Sequence, residues 1–227
     1  MGEDEAVSQK GMSAGAQAVA AVVLVGGLAA VLWELKDTQQ APYNSKPAVC
    51  SSTHTAKPSK RVSGAQLCTA LNRPDLPALL GTPEEQAETA DGSESSFTPA
   101  GGTKITNPEA DVTLKTYSVQ LSASYDRLSV ARTAALLGDS AERQTVLGHP
   151  AVLYSDRTIS ISLIGGATAE AGPGGIARRL LVARSAKDGG GSFEVVIWRQ
   201  DAVPPDDAAL FRVAEQVLPT VPGWTAG

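Results

Sequence analysis

A chain of 227 residues has room for one domain once any anchor is set aside, and such a domain buries a core without a disulfide scaffold. Its net charge of −5 excludes the basic face that nucleic acid requires. Aromatic residues make up 4% of the chain, too few for a platform that stacks bases or sugars.

The first element is an uncharged run over 14–33, from Ala14 to Trp33. A helix of that length rises about 30 Å, the thickness of a bilayer's hydrocarbon core. Val19, Val22, Val23, Leu24, Val25, Leu28, Val31 and Leu32 together favour insertion by roughly 3 to 4 kcal/mol. Gly15, Gln17, Gly26 and Gly27 work against it, and Trp33 suits the headgroup layer at the far edge. A cleaved secretory signal fits less well, because Glu3, Asp4 and Glu5 precede Lys10 and the run exceeds a signal's usual length. The expected organisation is a short cytoplasmic tail (1–13), a transmembrane helix (14–33), a flexible tether (34–60) and an extracytoplasmic domain (61–227). Lys10 on one flank nearly balances Lys36 and Lys46 on the other, so basic residues do not orient the span. The cysteines do. Cys50 in the tether and Cys68 in a helix suit a disulfide formed in an oxidising compartment, the competing reading being two unrelated thiols.

Within the domain, Ser63 and Gln66 form a capping box, with Val62 and Leu67 placed to staple it. Leu67, Ala70 and Leu71 then share one helical face. Asp75 is placed to cap a second short helix carrying Leu76, Leu79 and Leu80, stopped by Gly81. The stretch 82–108 is polar and reads as a long disordered loop. From Tyr117 to Tyr125 apolar and polar residues alternate, the pattern of a half-buried strand. Val112 and Leu114 have the opposite parity, so a bulge is expected near Thr116. Residues 129–138 are ambiguous, and short strands follow over 145–147, 151–154, 158–164, 179–184 and 193–199. Gly148-His149-Pro150 and the glycine-rich stretches 165–175 and 187–191 read as turns, Asp188-Gly189 being a hairpin signal. Pro205, Asp206 and Asp207 open a last helix with the stripe Leu210, Val213, Ala214, Val217 and Leu218. The expected fold class is α+β: an antiparallel β-sheet flanked by N- and C-terminal helices and preceded by one transmembrane helix.

Candidate chemistry is sparse. His54 lies in the tether. His149 could serve as a general base only with a nucleophile and an orienting acid, and Ser155 with Asp156 is the nearby pair. No nucleophile elbow surrounds Ser155. The glycine loops lack the Lys-Ser/Thr ending of a phosphate loop, and the pair Asp206 and Asp207 falls short of a calcium shell. Trp198 and Trp224 read as packing residues. The site expectation is therefore the disulfide Cys50–Cys68, with no catalytic, cofactor-binding or metal-ligating residue.

The run Leu67-Cys68-Thr69-Ala70-Leu71 through Leu79-Leu80-Gly81 resembles the opening of small actinobacterial envelope proteins of unknown function. The segment from Gly148 to Asp156, the run from Phe193 to Arg199 and the closing Val221-Pro222-Gly223-Trp224 extend that resemblance over most of the chain after Val62. The order of helix, antiparallel sheet and helix is also similar to PsbP-like domains of bacterial lipoproteins, although those are held by a lipidated cysteine. Neither resemblance carries a functional residue. The function expected is a membrane-anchored extracytoplasmic, non-enzymatic interaction or accessory domain of the cell envelope. Its partners would be the lipid bilayer through 14–33 and an envelope protein or ligand. The alternative is a cell-surface hydrolase or transferase using His149, Ser155 and Asp156.

Overall fold

The computed structural model describes residues 46–52, 61–98, 105–164, 168–201 and 203–225, all of which belong to the unit Lys46–Gly227. The expected tail, span and most of the tether, with His54, lie outside the described residues. In chain order the elements are β1 (Ser51–Ser52), α1 (Gly64–Leu71), α2 (Leu76–Leu79), β2 (Thr89–Phe97), β3 (Ile105–Thr113) and β4 (Tyr117–Ser124). There follow α3 (Val130–Leu137), β5 (Ala141–Val146), β6 (His149–Ile164), β7 (Thr168–Ala183), β8 (Ser192–Arg199) and α4 (Asp207–Val217). The strands make one sheet in the order β1-β2-β3-β4-β8-β7-β6-β5, antiparallel throughout except for the parallel edge pair β1–β2.

This corrects the expected class. The unit is a mostly antiparallel sheet with few helices, the longest of them 11 residues, rather than an α+β domain in which helices share the architecture with the sheet. No helix among the described residues is long and apolar enough to cross a membrane. The difference arises where polarity and glycine concealed strands. The stretch read as a disordered loop contains β2 and the start of β3, paired from Thr89↔Thr113 to Phe97↔Ile105. Gly172 to Gly175, read as a turn, lies inside the 16-residue β7. The parity change near Thr116 is a tight hairpin instead of a bulge, closed by the Leu114 amide donating to the Tyr117 carbonyl at 2.7 Å. Similarly, the turn before β6 is Leu147-Gly148, both with positive φ, while His149 and Pro150 already lie in the strand.

Where sequence signals were local, the elements form as expected. Ser63 caps α1 reciprocally with Gln66, and Val62 and Leu67 at the staple positions are both buried. Asp206 caps α4 by accepting from the Ala208 amide at 3.0 Å, and the whole expected stripe of α4 is buried. Asp75 is the exception: its carboxylate pairs with Arg73 and makes no cap.

Helices α1, α2 and α4 contribute to the same core on one face of the sheet, where α1 crosses β2, β3 and β4 and α4 packs on β7, β8 and β5. Its strand contributions include Val112, Val119, Leu121, Leu180, Phe193, Val195 and Ile197. Among the described residues the second face carries only α3, packed against β5, β6 and β7 through Val130, Ala134, Val152 and Ala183. Ser129 caps α3 at Arg132, and Asp188 reaches over from the β7–β8 turn to accept from the Val130 and Ala131 amides at 2.8 and 2.9 Å. A carboxylate there also opposes the positive end of the helix dipole.

Candidate functional site

The residues of the expected catalytic alternative stand on one strand and do not meet. His149 begins β6 and is fully buried, its ring stacked on Trp224 at 4.1 Å between centroids. Its Nδ1 lies 2.7 Å from the Ala183 carbonyl, and Nε2 has no hydrogen-bond partner among the described residues. Ser155 lies six positions along the same strand, about 20 Å away at the usual strand rise. Its Oγ accepts from Arg178 Nη1 at 2.5 Å, and Arg178 is held by Asp207 at the start of α4 through two bonds of 2.5 and 2.6 Å. Asp156 points to the opposite face by strand alternation and pairs with Arg179 at 3.8 Å. A proton cannot pass between His149 and Ser155 at that separation.

The cysteines do meet. Cys50 and Cys68 form a disulfide with Cα atoms 6.0 Å apart, well inside the range the bond requires. The bridge holds the segment 46–52, which sequence composition assigned to the tether, against α1 and β2. The Ala48 amide donates to the Ala87 carbonyl at 2.9 Å, and Asn72 Nδ2 donates to the Ala48 carbonyl at 2.8 Å. Asp206 and Asp207 divide their roles between a cap and the Arg178 pair. Among the described residues no group of three His, Cys, Asp or Glu side chains is placed to hold a metal ion.

A polar cluster lies on the second face of β3, β4 and β8, where no described helix packs, with Val196 and Ser118 buried within it. Register places Asp111, Gln120 and Val196 side by side across it, with Ser122 beside Glu194 and Ser118 beside Trp198. Gln120 Nε2 donates to Asp111 Oδ1 at 3.1 Å, and Gln200 Nε2 donates to Ser118 Oγ at 2.6 Å. Towards β7 the Tyr154 hydroxyl donates to Glu194, which also accepts from Arg179 at 3.2 Å. Burial and the Glu194 carboxylate push the Tyr154 phenol above its ordinary range, so it remains a donor. Sequence reading missed this face because its members come from five strands whose order is not the chain order. On the other side of the molecule, a depression of about 540 Å³ lies between α1 and the C-terminal turn, lined by Gln66, Thr69, Arg73 and Thr220 among others. Its arginine is already engaged by Asp75 and by the Gln216 carbonyl at 2.6 Å.

Asp111 gives the polar face a pH signature. Burial, together with Glu109 beside it and Asp91 directly across β2, pushes its carboxyl up to about 6. A folded-state value above the unfolded one favours the protonated form, so this contribution is fully present below about pH 4 and is lost as pH rises through about 6. Replacing Asp111 by Asn should therefore stabilise the protein at pH 7.5 by about 1 kcal/mol, after discounting for the partly solvated carboxyl. The gain should shrink as pH falls and vanish by about pH 3.5, below the unfolded carboxyl's ordinary value. Urea melts of both proteins at the two pH values test this, and an equal difference at both would refute the assignment.

These features define a sheet protein with a structural disulfide and a half-buried polar cluster on one face. The chain belongs to a family of unknown function, DUF6215, whose model matches residues 9–140. The match runs from the uncharged N-terminal run through both cysteines and β1 to β4, ending just after α3. No curated protein and no solved structure matches the chain.

Proposed function

We propose that the unit Lys46–Gly227 works outside the cytoplasmic membrane as a non-enzymatic interaction or accessory module of the cell envelope, held at the bilayer by the uncharged run 14–33. The observation that carries the interaction reading is the half-buried polar cluster of β3, β4 and β8, hydrogen-bonded within itself and with no described helix packed on it. Such an arrangement presents preordered donors and acceptors to a partner at little ordering cost. The Cys50–Cys68 bridge supports the compartment, since structural disulfides persist where the surroundings are oxidising. The finer resemblance, to actinobacterial envelope proteins and to PsbP-like domains, belongs to the same proposal and transfers no functional residue.

Two measurements test it. Protease added outside intact cells should remove the unit, and the N-terminal remnant should stay with membranes through alkaline carbonate washing. A domain that resists protease until the cells are lysed would refute the location. Ser122→Arg, which places a long charged side chain at the half-buried edge of this cluster, should abolish cross-linking to envelope components and leave the melting temperature unchanged. Undiminished cross-linking would refute the role of that face.

A further inference from the structure

One end of the sheet gathers positive charge on a chain whose net charge is −5. It is the end where β4 finishes at Ser124, paired with Ser192 at the start of β8. The segment after β4 carries Asp126, Arg127 and, in the first turn of α3, Arg132. The β7–β8 turn carries Arg184, Lys187 and Asp188, and Arg61 lies just before α1. Both carboxylates in these segments are turned to backbone amides. Asp126 accepts from Leu128 at 3.0 Å, and Asp188 accepts from Val130 and Ala131. Arg127, Arg132, Arg184 and Lys187 form no ion pair among the described residues, whereas Arg73, Arg178, Arg179 and Arg199 each face a carboxylate.

Close contacts hold the three segments together. Gly190, with a φ of +99°, lies so near the loop after β4 that a Cβ on it would stand 2.9 Å from the Arg127 Cα. A Cβ on Gly191 would stand 3.2 Å from the Ser124 carbonyl oxygen. Tyr125 joins the segment before α1 to both. Its hydroxyl accepts from the Val62 amide at 2.7 Å, and the guanidinium carbons of Arg61 and Arg184 lie 5.0 and 5.1 Å from its ring centre. A ring contact of this kind orients a guanidinium without cancelling its charge. Arg61, Arg127, Arg132 and Lys187 are exposed, and Arg184 is half-buried. Leu136 follows Arg132 by one turn on the same face of α3 and is 73% exposed.

We infer that this end of the sheet is a docking surface for an acidic segment of a partner protein. Arginine supplies most of the charge, and its planar fork matches a carboxylate with two parallel hydrogen bonds. The cations come from three segments of chain, so an extended run of carboxylates meets more of them than a single small anion does. Leu136 favours a peptide over a polyphosphate, because only the peptide brings apolar side chains to cover it. Complementary charge on a preordered patch speeds encounter and fixes the register of the partner. No residue of this surface belongs to the polar cluster of β3, β4 and β8, so the two surfaces are separable by substitution.

The test uses the full chain and a fluorescein-labelled, glutamate-rich peptide with interspersed leucines, its binding followed by fluorescence anisotropy. Arg127→Glu/Lys187→Glu should weaken binding by about tenfold or more. Lys115→Glu/Arg157→Glu makes the same change in charge at the other end of the sheet, and should leave binding within about twofold. All four side chains are exposed, so neither pair disturbs the core. Leu136→Ser should weaken the peptide by about threefold and leave the binding of a labelled polyphosphate unchanged. The natural chain should hold the peptide more tightly than the polyphosphate. No binding of the peptide, an equal loss in the two charge-reversed pairs, or tighter binding of the polyphosphate would overturn the proposal.

Discussion

Removing the Cys50–Cys68 bridge should lower the stability of the folded unit by about 3 kcal/mol, through the loop of 18 residues that it closes in the unfolded chain. The effect also has a folded-state part. Cys68 is fully buried in the main core and Cys50 packs against the same cluster, so the bridge is the covalent link that seats residues 46–52 on α1. Without it, the two-residue parallel pairing of β1 with Asp91 and Gly92 and the Ala48 bonds must hold that segment alone. Cys50→Ala/Cys68→Ala is the appropriate variant, since serine would bury an unpaired hydroxyl at a site with no exposure. Urea-unfolding midpoints of this variant, and of the natural chain with and without reductant, measure the change. A shift of less than about 0.5 kcal/mol in both comparisons would mean that the bridge constrains neither state.

Gly64→Ala should destabilise by about 3 kcal/mol, against the expectation from helix propensity alone, which favours alanine by up to about 1 kcal/mol. Gly64 opens α1 where the helix meets β2 backbone to backbone. A Cβ there would lie 2.1 Å from the Ser93 carbonyl oxygen and 2.6 Å from its nitrogen. The contact is reciprocal, since a Cβ on Gly92 would lie 2.5 Å from the Gly64 carbonyl oxygen. Neither neighbour is a side chain that can rotate away, so α1 must lift, drawing Leu67, Cys68 and Leu71 out of the core. Gly189→Ala, where an added Cβ meets nothing within 4 Å, should stay within about 0.5 kcal/mol of the natural protein. Equal effects of the two substitutions in thermal or urea melts would refute the steric account.

The same comparison shows which information was readable along the chain. Ser63 and Gln66 stand three residues apart and cap α1 with no help from the rest of the molecule. The stripe of α4 and the alternation of β4 are equally local, because a period of 3.6 or 2 commits one face to a core whatever that core contains. Polar β2 and β3 defeated the same reasoning. Their ends extend beyond β4 as a two-stranded ribbon, so little apolar alternation is needed to place them. Asp188 is similarly divided: as half of an Asp-Gly pair it marks a turn, but its use as a cap for α3, 57 and 58 residues earlier, depends on where the sheet sets that turn.

Candidate sites followed the same rule in both directions. His149, Ser155 and Asp156 are close in sequence, yet an extended strand moves them apart and alternation turns Asp156 to the other face. Asp111, Gln120, Glu194, Arg179 and Tyr154 are far apart in sequence and become neighbours only through the strand order β3-β4-β8-β7-β6. Local chemistry along the chain was enough to set the caps of α1 and α4, two helical stripes, one strand and the cysteine pair, because each needs only residues within a turn or an oxidising medium. The tertiary structure alone decided the polar cluster across five strands and the Gly64–Gly92 contact. Their energies come from pairings between distant segments, and no spacing in a single sequence records those.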